Sequence, residues 1–139
     1  MKYLLDTNIC VHFLRGAFSL DVKLREVGLE NCAISEITLA ELEYGVENSA
    51  LAFQAKQRES LQIFTETFSE RIIPIRDCFT LYAKNRVRLR RLGMPISDFD
   101  LLIGCSALTH NLILVSENVS ELARIENIQL ENWVVRPVR

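Results

Sequence analysis

The 139-residue sequence lacks a long uninterrupted apolar run, a strong excess of basic charge and closely paired cysteines. No segment offers the roughly 18 consecutive apolar residues of a membrane-spanning helix. Asp6, Asn8 and His12 interrupt the apolar start that would otherwise resemble a secretory signal. The net charge of −2 excludes nucleic-acid binding through overall positive charge, so any such contact must be local or assisted by metal ions. Neither a membrane span nor export is expected.

The four cysteines are widely spaced, with no C-x-x-C pair and no histidine at zinc-finger spacing. This pattern predicts buried free thiols in a reducing cytoplasm, at Cys10, Cys32, Cys78 and Cys105. With 49% hydrophobic and 24% charged residues, the composition is typical of one compact domain over residues 1–139. No repeat, low-complexity segment or linker interrupts it.

Strand-like and helix-like segments alternate along the chain. Short apolar segments typical of buried strands lie at 3–5, 32–35, 71–75, 112–116 and 128–135. A first helix is capped by Thr7 or Asn8 and stopped by Gly16, and further segments with helical character cover 37–46, 49–68, 78–92 and 100–110. Pro74 places the 71–75 strand at an edge or a strand end. This order predicts an α/β fold, with a central, mostly parallel sheet flanked by helices on both faces.

Acidic and amide side chains follow several of these strands, at the edge where parallel sheets bind ligands. Asp6 directly follows the first strand, Glu41 begins a later helix, and Asp98 and Asp100 begin another. Asn118 follows the 112–116 strand. Two carboxylates at 4 Å repel by about 4 kcal/mol at an effective dielectric near 20, so convergence would shift their pKa values or recruit a cation. Oxygen donors without clustered Cys or His favour Mg²⁺ or Mn²⁺, which indicates phosphodiester hydrolysis.

Each acid also has a purely structural alternative. Thr38-x-x-Glu41 and Ser97-x-x-Asp100 both fit the capping-box pattern, in which an acid folds back onto the start of its helix. Asp6 can cap the turn that follows it. Capping is the commoner role for an isolated acid of this kind, so the case for a site depends on convergence.

Five segments carry a family resemblance, in the same order over nearly the whole chain: LLDTN, ISEITLAELEYGV, GMPISDFDLLIGCSAL, LILVSENVSEL and LENW. Together they resemble the PIN-domain ribonuclease toxins of the VapC type. The resemblance implies a parallel sheet flanked by helices and an acidic site that hydrolyses RNA with Mg²⁺ or Mn²⁺. It also implies a cognate VapB-type antitoxin as a partner, and a homodimer.

The resemblance assigns roles to individual positions. The implied metal ligands and catalytic acids are Asp6, Glu41 and Asp100. Asn118 occupies the fourth catalytic position, where the family usually has an acid, and its amide oxygen brings no charge. Supporting roles are implied for Thr7, Asp98 and Ser116.

A basic helical segment at 84–93, KNRVRLRRLG, is the candidate RNA-binding surface. Lys84, Arg88 and Arg91 share one face at three- and four-residue spacing and could contact an RNA backbone. A solvated helix face is the commoner meaning of such a run.

Several other residues have less specific expectations. Trp133 and Tyr44 are expected to pack rather than to stack on bases. Phe64 and Phe68 belong either to the core or to a partner-binding surface. His12 lacks a partner at informative spacing and is expected to be structural, as is His110.

The favoured interpretation is a Mg²⁺-dependent ribonuclease, the toxin of a bacterial VapBC-type system. A non-catalytic PIN-like module that binds RNA or protein is the first alternative, because Asn118 replaces an acid. A phosphoaspartyl enzyme or receiver domain is the second. It fits less well, because Asn8 stands where a haloacid-dehalogenase-like enzyme needs a second acid.

Overall fold

The computed structural model describes residues 1–138, and these form a five-stranded sheet with helices between the strands. The strands are β1 (Tyr3–Leu5), β2 (Cys32–Ser35), β3 (Ile72–Ile73), β4 (Ile113–Val115) and β5 (Leu130–Glu131). The helices are α1 (Thr7–Leu14), α2 (Leu20–Val27), α3 (Glu36–Glu47), α4 (Leu51–Thr67), α5 (Phe79–Arg91), α6 (Asp98–Thr109) and α7 (Val119–Leu122). Short 3₁₀ turns lie at Leu29–Asn31 and Arg76–Cys78. The predicted alternation of strands and helices is confirmed.

The strand order is β3-β2-β1-β4-β5, and every pairing is parallel. From β1 the chain adds β2 and β3 on one side, then returns to add β4 and β5 on the other. The order therefore reverses between β1 and β4. In open α/β sheets, ligands bind beyond the carboxyl ends of the strands at such a reversal.

Successive side chains of each strand point to opposite faces of the sheet, so the core has two layers. On one face Tyr3 and Leu5 pack with residues of α1 to α4, including Phe64. On the other face Leu4 packs with residues of α5, α6 and α7, including Ile103. Helices therefore cover both faces of the sheet, as predicted.

The start of α3 differs from the prediction. The helix begins at Glu36 rather than near Thr38, because Ser35 at the end of β2 supplies the cap, its hydroxyl accepting from the Ile37 backbone N–H at 3.1 Å. Thr38 is buried inside the helix, so the Thr38-x-x-Glu41 capping box is wrong. Glu41 consequently lies in the second turn, away from the cap.

Helices α2 and α7 were not predicted, and the last strand is only two residues long. The 49–68 stretch forms one helix, and both Phe64 and Phe68 belong to the core. Trp133 packs as expected, but Tyr44 is 70% exposed, so the packing prediction for Tyr44 is wrong.

The four cysteines are buried free thiols, as predicted. Within residues 1–138, no helix combines the length and the hydropathy that a membrane crossing requires.

Candidate active site

Asp6 lies at the carboxyl end of β1, where the strand order reverses, and its side chain is buried. Its Oδ1 accepts from the backbone N–H of Thr7 at 2.8 Å and thereby caps α1. Its Oδ2 accepts from Ser116 Oγ at 2.7 Å and from Asn8 Nδ2 at 3.3 Å. Since Ser116 follows β4, one carboxylate both caps a helix and joins the ends of two neighbouring strands. The capping alternative is thus correct for Asp6 without excluding a role in a site.

Glu41 is connected to the same edge through Thr7. The Thr7 hydroxyl donates to Glu41 Oε1 at 2.7 Å and lies 3.0 Å from the Thr38 hydroxyl. A hydroxyl has one proton, so Thr38 is the donor in that second bond. Thr7 therefore fixes the Glu41 carboxylate beside the start of α1.

Asp100 and Asn118 meet at the other end of the site. Ser97 caps α6 by accepting from the Asp100 backbone N–H at 3.3 Å, while the Asp100 carboxylate accepts from Asn118 Nδ2 at 3.4 Å. The same Asn118 amide donates to Glu121 Oε2 at 3.1 Å, and the Asn118 backbone N–H donates to Ser116 Oγ at 2.9 Å. The 116–118 turn thus links Asp100 to the Asp6 carboxylate.

The electrostatics of the edge favour a cation. Burial raises the pKa of Asp6 to about 6; the hydrogen bonds from Ser116 and Thr7 oppose this rise, and the nearby carboxylates of Asp100 and Glu41 add to it. Within residues 1–138, none of these three carboxylates forms an ion pair with Lys, Arg or His. Because this negative charge has no cationic partner, the site suits a bound metal ion.

The donor set does not form a closed cage around a divalent cation. No group of three or more Asp, Glu, His or Cys side chains in the described part of the chain is arranged so as to hold an ion. Mg²⁺ usually keeps several waters and is bound through one or two carboxylates together with substrate phosphates. Asp6, Glu41 and Asp100 offer oxygen donors of this kind at one edge, whereas Asn118 presents its amide nitrogen to Asp100.

Asp98 does not join the acidic network, the hydrogen-bonded set of Asp6, Thr7, Glu41, Asp100, Ser116 and Asn118. Its carboxylate accepts from the Tyr82 hydroxyl at 2.9 Å and lies 3.4 Å from Arg86 Nε, both on α5. Asp98 and Asp100 are two residues apart in one helical turn, so their side chains point in different directions. Asp98 therefore holds α5 against the start of α6.

The basic segment of α5 is not a uniform cationic face. Arg88 donates to the Arg124 carbonyl at 2.6 Å and to Asn85 Oδ1 at 3.1 Å, and its Nε lies 3.8 Å from Glu126. These contacts tie α5 to the segment after α7. Lys84 and Arg91, by contrast, are exposed.

Two residues of the network were missed by the sequence reasoning. Asn8 donates to both Asp6 and Ser116, and its Oδ1 accepts from the Glu117 backbone N–H at 3.2 Å. Glu121 accepts from Asn118. Spacing offered a signal for Glu121, because residues three apart on a helix share a face.

The fold and its acidic edge define an α/β protein of the PIN type. The PIN domain model matches residues 3–127, and the chain belongs to the PIN domain family. It is similar to ribonuclease VapC2 of Rickettsia felis, with 38% identity over 138 residues, covering 96% of this chain and 98% of that protein. It is 31% identical over 136 residues to the tRNA(fMet)-specific endonuclease VapC of Shigella flexneri, with the same shares covered.

A solved structure supports the same assignment. The crystal structure of VapBC2 from Rickettsia felis, bound to a DNA fragment from their promoter, contains a chain that superposes with a TM-score of 0.84 at 38% identity. The match covers 96% of this chain and 99% of that one. The resemblance to VapC-type PIN domains is therefore confirmed. PIN-domain nucleases generally use a divalent metal.

Proposed function

We propose that this protein is a divalent-metal-dependent ribonuclease that hydrolyses RNA phosphodiester bonds, the toxin of a bacterial VapBC-type toxin–antitoxin system. The observation that carries the proposal is the buried Asp6 carboxylate, which lacks a cationic partner in residues 1–138 and is linked through Thr7 and Ser116 to the other site residues. Relatives that match over nearly the full chain carry the names ribonuclease VapC2 and tRNA(fMet)-specific endonuclease VapC.

Asp6, Glu41 and Asp100 would supply the carboxylates of the site, of which one or two would ligate the ion directly, with Asn118 assisting. When bound, Mg²⁺ supplies a Lewis acid that activates water and stabilises charge on the phosphate oxygens. The all-oxygen donor set favours Mg²⁺, with Mn²⁺ as a substitute.

The other side chains of the network orient these ligands. Thr7 and Ser116 fix the Glu41 and Asp6 carboxylates by donating to them. Asn118 bridges Asp100 and Glu121, so Glu121 brings to this end of the site the negative charge that an amide at position 118 lacks. Glu121 therefore orients the Asn118 amide that faces Asp100.

A groove between α1, α3 and α4 is the proposed binding site for a VapB-type antitoxin. It encloses about 360 Å³, and its lining includes Val11, Leu14, Leu42, Val46 and Phe53. Phe53 is 60% exposed and offers apolar surface to a partner. Glu41 forms part of the wall of the groove, so an apolar segment bound there would reach the acidic edge. The R. felis neighbour is itself a VapBC complex, which supports this partner.

The remaining assignments follow from the same family membership. Residues 1–139 are proposed to form one PIN domain, whose last residue, Arg139, lies outside the described residues. A homodimer in the cytoplasm is proposed, and the four unpaired cysteines agree with a reducing compartment. Lys84 and Arg91 are proposed to contact the RNA backbone because both are exposed.

Cleavage of total cellular RNA by purified protein, freed of any co-purifying partner, tests the proposal. Discrete products are expected with Mg²⁺, and none with EDTA or with Asp6→Asn. Asp21→Asn, an exposed acid on α2, is the matched control and should cut like the parent. A folded, partner-free parent that retains RNA without cutting it would instead identify a binding module. Sequencing the product ends would name the RNA.

A further inference from the structure

Glu117 stands between two residues of the acidic network, yet its own carboxylate faces away from them. Glu117 Oε1 lies 2.6 Å from His12 Nε2, and the carboxylate accepts from Arg136 Nε at 2.7 Å and from Arg136 Nη2 at 3.0 Å. His12, which has no partner at informative spacing in the sequence, therefore has one in the fold. We call Glu117, His12, Arg136 and Phe18 the Glu117 clamp.

Phe18 completes the clamp as an aromatic platform. The Arg136 guanidinium lies 4.8 Å from the centre of the Phe18 ring, and the His12 ring meets the same ring edge-on at 4.8 Å. A two-pronged guanidinium–carboxylate pair is geometrically specific, and stacking on an aromatic ring adds to it. The hydrogen bonds from Arg136 and His12 hold the pKa of Glu117 below its usual range. The Glu117 carboxylate is consequently held from two sides, although its side chain remains 23% exposed.

The backbone of Glu117 connects the clamp to the site. Its N–H donates to Asn8 Oδ1 at 3.2 Å, and the same Asn8 side chain donates to Asp6 and Ser116. Ser116 and Asn118 are its immediate neighbours in the chain, so the conformation of Glu117 sets the direction of both side chains. Fixing the Glu117 side chain therefore fixes the turn that carries them.

We propose that Glu117, held by Arg136 and His12, is a positioning residue for the nuclease reaction. The clamp fixes the 116–118 turn in the conformation that turns Ser116 toward Asp6 and Asn118 toward Asp100. Arg136, in the segment after β5, acts on the site through Glu117. This inference rests on the proposed function. A clamp that merely anchored the C-terminal segment would affect stability without affecting the acidic site.

The test compares Arg136→Ala, Arg136→Lys and the parent, each folded and partner-free. Mn²⁺ affinity is measured by calorimetry without RNA, and kcat and KM are measured on an RNA that the parent cuts. Loss of a group that orients a metal ligand directly lowers metal affinity by about 10- to 100-fold. Arg136 contacts Glu117 and not a metal ligand, so a smaller effect is expected. Arg136→Ala should lower Mn²⁺ affinity and kcat by about threefold. Lysine keeps the charge without the fork and should restore part of the loss. The KM for RNA should not change.

Two further variants keep the result decisive. Arg58→Ala removes a comparable exposed guanidinium that pairs with Glu43 and Glu47 away from the acidic edge, and it should leave both measurements unchanged. Because Arg136 acts through Glu117, Glu117→Gln combined with Arg136→Ala should cost no more than Glu117→Gln alone.

Either of two results would overturn the inference. The first is that Arg136→Ala matches Arg58→Ala in Mn²⁺ affinity and kcat, whatever its melting temperature. The second is that Arg136→Ala raises KM alone, which would make Arg136 an RNA contact. A parent protein that neither binds Mn²⁺ nor cuts RNA would instead overturn the proposed function on which the inference rests.

Discussion

The acidic edge and the basic helix α5 both carry several charged side chains, but the two regions differ in how those charges are paired. At the edge, Asp6 is buried and, within residues 1–138, has no cationic partner. On α5, Arg88 is matched by Asn85, Glu126 and the Arg124 carbonyl. The neighbouring Lys84 and Arg91 are solvated.

The carboxylates of the acidic edge are therefore available to bind a cation, whereas Arg88 on α5 stabilises the fold. Ionising a buried carboxylate without a counter-ion is costly, and such a group persists when function requires it. A solvated or fully paired arginine carries no such cost. The following experiments test this contrast.

Asp6→Asn should give the largest separation between activity and stability. Cleavage is expected to fall by about 1,000-fold or more, because a charged ligand at the reacting phosphate is lost. In EDTA at pH 7 the variant should unfold at higher urea than the parent. Burial raises the pKa of Asp6 from 3.8 to about 6, so ionising Asp6 costs about 3 kcal/mol more in the folded protein than in the unfolded chain. Asparagine carries no charge and avoids this cost. A variant less stable than the parent would contradict this account.

The pH dependence of that stability difference follows from the raised pKa. In the metal-free parent, the stability associated with neutral Asp6 is fully present below pH 3.8 and is lost as the pH rises to about 6. Urea midpoints of the parent and Asp6→Asn should therefore be closest at low pH and diverge up to about pH 6. Saturating Mg²⁺ should raise the parent selectively above that pH, because binding requires the ionised form. Parallel curves in EDTA would mean that Asp6 is not destabilised by burial.

Thr7→Val tests whether Glu41 must be oriented. Valine preserves the shape of the side chain but removes the hydroxyl that donates to Glu41 at 2.7 Å. We expect cleavage to fall by about tenfold, at the lower end of the effects of partners that orient metal ligands. Thr7→Ser, which restores the hydroxyl, should recover most of the activity. Equal activity of the valine and serine variants would show that the Glu41 position does not depend on this bond.

The smallest effects are expected on α5. Arg88→Ala should lower the free energy of unfolding by about 1–2 kcal/mol, because the Arg124 carbonyl and Glu126 lose their partner.

Lys84→Ala combined with Arg91→Ala should leave stability unchanged, weaken RNA binding about threefold and flatten its salt dependence. Titrating RNA at several salt concentrations, with urea unfolding alongside, separates the two outcomes. An identical salt slope in the double variant would remove α5 from the RNA-binding surface.

Local signals in the chain were sufficient for much of the fold. Short, continuous apolar segments located β1 and β2, and glycines at positions 16 and 93 marked the ends of α1 and α5 with positive φ angles. Helix α7 has only four residues, and α2 starts from Ser19 in a left-handed conformation without a side-chain cap. Neither helix has the long periodic pattern or the cap that makes a helix visible in sequence.

The parallel α/β architecture and the oxygen-bearing residues at the ends of its strands could be predicted from the sequence, because apolar strand segments and helix caps are local properties of the chain. Which of those residues meet depends on the tertiary structure. Asp6 accepts a hydrogen bond from Ser116, which is 110 positions away in the sequence. Asp98 is only two positions before Asp100 but contacts α5 instead. Strand register and the rotation of each helix about its axis set these meetings, and both depend on how the whole core packs.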